Sequence, residues 1–254
     1  MTRARVMMMT GAVVLAAALA PRLSAQQPLS GPKVTDLGHP LSETDPTWTG
    51  IPVFKYTATR HDGIFAGSFQ TDEHFGTHVD APAHFVPAGW TVDQIPVIRL
   101  VRPAVRVDVR SQCAKNQDYR VTREDIVAFE RHYGVLVPGT IVLIQTGWDA
   151  RWSDQVRYRN EHEGAMHFPG LSVEAANLFV ERDVAGIGID TPSVDYGMST
   201  AYEVHRVTLP RNIYHIENVA NLAAVPATGF TVVVAPINIK GGSGGPARVF
   251  AVVP

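Results

Sequence analysis

Cysteine is almost absent from this 254-residue chain, with Cys113 standing alone. A single thiol allows no intramolecular disulfide framework and no thiolate-rich metal cage, so any metal must be held by nitrogen and oxygen. Cys113 itself reads as a small buried apolar side chain rather than a nucleophile. A basic surplus is also missing. The formal net charge is −2 and the pI is about 6.5. With no basic stripe, zinc knuckle or aromatic platform, the chain is expected to have no nucleic-acid partner. Repeats, low-complexity tracts and convincing linkers are lacking as well, and a hydrophobic content of 45% suits one sizeable core.

The apolar run Val6–Ala20 is too short to span a bilayer comfortably. Preceded by Arg3 and Arg5 and followed by "PRLSAQQ", it has the form of a secretory signal peptide, with cleavage expected between Ala25 and Gln26. The expectation is a signal peptide over 1–25 and a single domain over 26–254, periplasmic or secreted and free of the membrane once cleaved.

Along the mature chain, "KVTDLGHPL", "IPVFKYTATR" and "AGSFQTDEH" read as strands. "PAVRVDVR" alternates as a half-buried strand does, whereas "GTIVLIQTGW" is a continuous apolar run, expected to be central and covered on both faces. A helix is predicted over "VTREDIVAFERHYG", with Thr122 and Asp125 as a capping box and Gly134 as its end. Ser172 caps a second helix in "LSVEAANLFVERD", which leads to the buried strand "VAGIGID". A helix through "AYEVHRVTL" and strands "NIYHIE", "FTVVVAPINI" and "ARVFAVV" follow. The stretch from Trp148 to Phe168 reads as a surface helix plus a loop. Together these predict a mixed α/β domain with a β-rich N-terminal portion.

What the chain does have is "HFGTHVDAPAHF", residues 74–85, with three histidines and an aspartate in twelve residues. His74, His78, Asp80 and His84 all fall at even positions, one face of an extended backbone. Imidazole and carboxylate suit Zn²⁺, Mn²⁺ or Fe²⁺ at bond lengths of roughly 2.0–2.2 Å. From His74 to His78 an ideal strand covers roughly 13 Å, near the limit for two imidazoles meeting one ion. The chain must therefore curve, which Gly76 permits, and Pro82 can turn it so that His84 approaches from another direction. A helical HExxH reading fails because Gly76, Thr77, Val79 and Pro82 make a poor helix. Further donors stand in the C-terminal half: His205 and Glu217, with His215 and Glu203 as competitors. Spacing alone does not choose between His205 and His215.

The segment "HFGTHVDAPAHF" resembles the signature of the cyclase-like metal hydrolases, the family of bacterial kynurenine formamidases and isatin hydrolases. The likeness continues through "DTPSVDYG", "EVHRVTLPRNIYHIENVANL" and "IKGGSGGPARVFA", covering nearly all of the mature chain. The resemblance implies a compact α/β fold of the swivelling β/β/α type, as a homodimer or homotetramer. It implies a divalent metal on His74, His78 and Asp80, with His84 as the acid/base residue. In the binuclear formamidases the aspartate bridges two zinc ions, and a later His and Glu twelve residues apart complete the second site. His205 and Glu217 have that separation, which favours His205 over His215. Isatin hydrolases work with one manganese, so zinc or manganese, and one ion or two, stay open. Trp48 occupies the region where the formamidases set a Trp against the substrate ring, and Phe75, Phe85 and Phe168 could complete an aromatic pocket.

The expected chemistry is hydrolysis of a non-peptide C–N bond, in a cyclic amide such as isatin or an aryl formamide such as N-formylkynurenine. Metal-activated water would attack the carbonyl, and His84 would pass its proton to the leaving nitrogen. An export signal departs from a dedicated kynurenine formamidase and points to an external cyclic amide, ester or lactone. A lactonase or dehydrating cyclase on the same site is the enzymatic alternative. A periplasmic metal- or ligand-binding protein without turnover is the other, and it would have no use for His84.

Overall fold

Four successive apolar residues, Ile141 to Ile144, set the layers of the computed structural model. Ile141 and Leu143 join a cluster with Val79, Ala104, Ile216, Val232 and Val249. The alternate residues Val142 and Ile144 pack instead with Ile126, Phe129, Leu178 and Phe179. That two-residue period, apolar on both faces, marks a strand enclosed by barrel interior on one side and helices on the other.

The structure describes residues 31–254, so the expected signal peptide lies outside the described residues. Residues 32–254 form one compact unit. Ten strands carry its architecture: β1 (Lys33–Asp36), β2 (Lys55–His61), β3 (Ile64–Gln70), β4 (His78–Asp80), β5 (Val101–Asp108), β6 (Ile141–Gln145), β7 (Gly186–Ile189), β8 (Tyr214–Glu217), β9 (Phe230–Pro236) and β10 (Gly244–Val253). The parallel run β5-β6-β7-β8 continues through antiparallel β4, β10 and β9 back to β5, closing a mixed seven-stranded barrel, while β1 flanks β10. The expected α/β class is what the chain adopts.

Three helices matter for the site: α1 (Arg123–Tyr133), α2 (Val173–Glu181) and α3 (Glu203–Thr208). The predicted capping box starts α1: Thr122 Oγ1 accepts the Asp125 amide at 3.1 Å, and an Asp125 carboxylate oxygen accepts the Thr122 amide at 2.8 Å. Gly134 terminates the helix at φ 98°. Replacing Thr122 by alanine is expected to cost about 1 kcal/mol, lowering the melting temperature by about 2–4 °C in a domain of this size. An unchanged melt would remove the box from the stability of α1.

One expectation needs refinement, and two of the expected strands form apart from the barrel. The stretch Trp148–Phe168 does carry a short surface helix, Gln155–Arg159, but Trp148, Tyr158 and Phe168 turn inward as a third small core, with Trp148 Nε1 donating to the Tyr158 carbonyl at 2.8 Å. Its charged residues mask this, because the aromatic positions that turn inward follow no single period. The strands β2 and β3 pair only with each other, through an Asp62-Gly63 turn with positive φ at both residues, and every residue of the ribbon is exposed. Among the described residues no helix is long and apolar enough to cross a membrane.

Candidate functional site

Register brings the site residues together. Asp80 pairs with His215 across β4 and β8, and His78 pairs with Glu217. His215 in turn lies level with Ile187, and Ile187 with Val142. Directly paired residues share a face, so the four polar side chains occupy the helix-covered face, where α3 closes over them. His74 precedes the strand across Gly76, whose φ of +64° supplies the curvature that the spacing requires. Gly244 lets β10 approach from the other side: a Cβ there would stand 2.4 Å from the Val79 carbonyl oxygen and 2.7 Å from His74 Cε1.

Asp80 is the hub. Its Oδ1 lies 2.6 Å from His74 Nδ1 and 3.2 Å from His78 Nε2, and its Oδ2 lies 3.3 Å from His205 Nε2 and 3.7 Å from His215 Nδ1. Glu217 reaches within 3.5 Å of His78 Nε2 and 3.7 Å of His205 Nε2. His74, His78 and Asp80 thus form one donor group, and Asp80, His205, His215 and Glu217 a second, with Asp80 common to both.

The outer nitrogens fix how these rings are presented. His78 Nδ1 donates to the Gly76 carbonyl at 2.9 Å, so its Nε2 lone pair faces the two carboxylates. His205 Nδ1 donates to Asp195 at 2.6 Å. Ser243 Oγ donates to Glu73 at 2.6 Å and thereby accepts from His74 Nε2 at 3.0 Å, which turns the His74 Nδ1 lone pair toward Asp80. Lone pairs aimed at a carboxylate repel unless a cation lies between them, and outer-shell acceptors of this kind orient metal-ligating histidines. The donor set therefore fits a divalent metal.

The carboxylates carry the same message. Burial works against charge on Asp80, yet the hydrogen bond from His205 leads the contacts that hold Asp80 well below the usual carboxylate range. Burial, and after it the nearby Asp80 charge, push Glu217 well above its ordinary value. Burial opposes protonation of His205, but Asp195 and Asp80 overcome it and raise its pKa to about 10, so cation binding must displace that proton.

His84 sits differently. It ends the turn Pro82–His84, is accessible, and packs on His74 with ring centroids 4.0 Å apart, 5.9 Å from His205. Desolvation lowers its pKa to about 4, the Asp80 charge opposing and the neighbouring histidines assisting. The ring is neutral at pH 7, with a lone pair free to accept a proton.

Above these groups opens a cavity of about 690 Å³, walled by Trp48, Phe85, Arg159, Met166 and Tyr202 with the donor groups at its floor. That volume suits a small organic ligand. Of the four aromatic residues expected here, Trp48 and Phe85 line the cavity. Phe75 and Phe168 do not: Phe75 is buried in a stack on Phe54, and Phe168 is buried behind Trp48. Composition cannot tell a cavity wall from the packing behind it.

His205 and His215 both reach toward Asp80. Glu203 does not; it is exposed and accepts from Ser199 Oγ. Several contributors went unread. Asp195 caps α3 by accepting the Val204 and His205 amides, and the Val194 amide donates to Glu217 at 2.9 Å. Asn218 donates to the Gly76 carbonyl. Arg159 donates to the carbonyls of Thr47 and Trp48, holding the Trp48 loop. The quoted segments "DTPSVDYG" and "IENVANL" contain three of these residues, but nothing in their spacing assigns such roles.

The family model "Putative cyclase" matches residues 35–196. The chain belongs to this cyclase family. It is 31% identical over 215 residues to the isatin hydrolase of Roseibium aggregatum, covering 80% of this chain and 81% of that protein. To the kynurenine formamidase of Salinibacter ruber it is 26% identical over 222 residues, 84% of this chain and 94% of that one. Isatin hydrolase A from Ralstonia solanacearum superposes with a TM-score of 0.81 at 33% identity, covering 87% of this chain and 92% of that chain. An isatin hydrolase bound to the product analogue thioisatinate gives a TM-score of 0.82 at 26% identity, with coverage of 87% and 92%. Hydrolase relatives together with a candidate metal site make this cyclase-family chain a metal-dependent hydrolase of a non-peptide C–N bond.

Proposed function

We propose that the protein opens the amide bond of a small aromatic cyclic amide of the isatin type. One observation carries the reading: Asp80 stands among inward-facing imidazole lone pairs at the floor of an aromatic-walled cavity, with the uncommitted His84 beside it. His74, His78 and Asp80 would hold a divalent cation, with or without a second on His205 and Glu217, which would supply Lewis acidity and lower the pKa of bound water toward about 7. Zinc and manganese both suit these nitrogen and oxygen donors.

The protein groups do the rest. His84 accepts the proton of the attacking water and returns it to the leaving nitrogen, so no free amide anion has to depart. Trp48, Phe85 and Tyr202 offer faces and edges to a planar ring. Arg159 fixes the Trp48 loop through backbone carbonyls and pairs with Glu161.

The leader, with Arg3 and Arg5 before an apolar run, supports a periplasmic or secreted enzyme acting on an external compound. The exposed ribbon β2–β3, with Ile64, Phe65 and Phe69 each more than half exposed, supports assembly as a homodimer or homotetramer, because an isolated two-stranded ribbon is marginal in water.

The test is metal analysis of the purified mature protein, then an assay panel of isatin, N-formylkynurenine and simple lactones. Isatin should be turned over, the activity lost on chelation and restored by zinc or manganese. Preference for the lactones would favour the lactonase alternative. Full metal occupancy with no turnover on any panel member would leave a binding protein.

A further inference from the structure

His215 is fully buried on β8 and its Nδ1 has no hydrogen-bond partner. The ring's tautomer follows from its neighbours. Thr208 Oγ1 donates its only proton to the Val204 carbonyl at 2.7 Å, so toward His215 Nε2, also at 2.7 Å, it can only accept. His215 therefore carries its proton on Nε2 and presents a bare lone pair on Nδ1. That lone pair lies 3.7 Å from Asp80 Oδ2, itself an acceptor. Two buried acceptors face each other with no proton between them, an arrangement costly unless something positive joins them.

We propose that His215 Nδ1 is a metal ligand, completing an all-protein four-donor cation site with Asp80, His205 and Glu217 on the deep side of Asp80. The inference rests on the reading that this centre holds a divalent cation. One donor atom from each of the four residues lies within 4.8 Å of every other, and all four side chains are buried. Four protein donors fill a tetrahedral shell, and a filled shell keeps a metal without leaving room for water or substrate. The His74 side is the more open one, its side chain 27% exposed with His84 against it, whereas His215 lies behind the residues that line the cavity. Thr208 is a positioning residue, acting only through the His215 tautomer.

Zinc is the probe, added to metal-free protein carrying ¹⁵N-labelled histidine. The Nδ1 resonance of His215, assigned by its absence in His215→Leu, should move on saturation while Nε2 stays protonated throughout. In competition with a chromophoric chelator, His215→Leu should weaken one class of bound zinc by at least about 100-fold, and Thr208→Val by about 10–100-fold, the usual effect of an outer-shell change. Melting of the metal-free variants checks folding, and where His215→Leu does not fold, His215→Asn supplies both the assignment and the affinity comparison. Zinc binding with an unmoved Nδ1 signal, or with unchanged affinity in His215→Leu, would overturn the assignment and leave the cation reading intact. Failure of the wild-type protein to bind zinc or manganese at all would overturn both.

Discussion

Asp80→Asn is expected to lose metal and hydrolysis together, with kcat/KM falling by at least about 1,000-fold, beyond the 10–100-fold typical of an outer-shell change. The reason is that one carboxylate serves both donor groups. Its Oδ1 faces His74 and His78, its Oδ2 faces His205 and His215. Asparagine keeps the shape, removes the charge and turns an N–H toward one pair of lone pairs. It also removes a counter-charge from His205, whose pKa is pushed up to about 10 partly by Asp80. Uncompensated buried charge is strongly destabilising, at about 3–5 kcal/mol for a broken buried pair. The metal-free variant should therefore melt earlier than the metal-free parent.

Asp80→Glu separates the two effects, since it keeps the charge and moves the carboxylate along by one methylene. It should recover much of the metal-free stability and little of the activity. The measurements are metal content by mass spectrometry, kcat/KM on isatin, and thermal melts with and without metal. Full metal occupancy in Asp80→Asn would show that the centre is built elsewhere.

How much of this could be read beforehand depends on how local each feature is. The Thr122–Asp125 box, the end of α1 at Gly134 and the doubly covered strand Ile141–Gln145 are written in a few consecutive residues. Barrel closure is not. It needs β4, only three residues long, to pair with β8 on one edge and β10 on the other. Three residues carry no usable propensity signal, and their partners come from the far end of the chain. The same contrast divides the site. His74, His78 and Asp80 were legible because they share one segment and its even positions. His205 and Glu217 stand out as donors in the C-terminal half and the family's twelve-residue interval favours His205, but only the register sets His215 opposite Asp80.

His84→Ala is expected to keep the metal and lose about two to four orders of magnitude in kcat, the usual contribution of a general acid/base. Geometry separates His84 from the other imidazoles. His74, His78 and His205 each direct one nitrogen at Asp80 and commit the other to Ser243, Gly76 and Asp195 respectively. Among the described residues, neither ring nitrogen of His84 has a protein partner. Its ring touches His74 and edges toward His205, at the boundary between the donor groups and the cavity. With a pKa lowered to about 4 it stays neutral through the physiological range, and a nearby bound cation acts in the same direction. Losing the base should lower kcat more than it raises KM, because Trp48 and Phe85 still hold the ring of the substrate. Added imidazole should restore part of the rate, since the vacated position opens on a cavity of about 690 Å³. Steady-state kinetics on isatin with parallel metal analysis decides the matter: a near-normal kcat at full metal occupancy removes His84 from proton transfer, and loss of metal makes it a ligand instead.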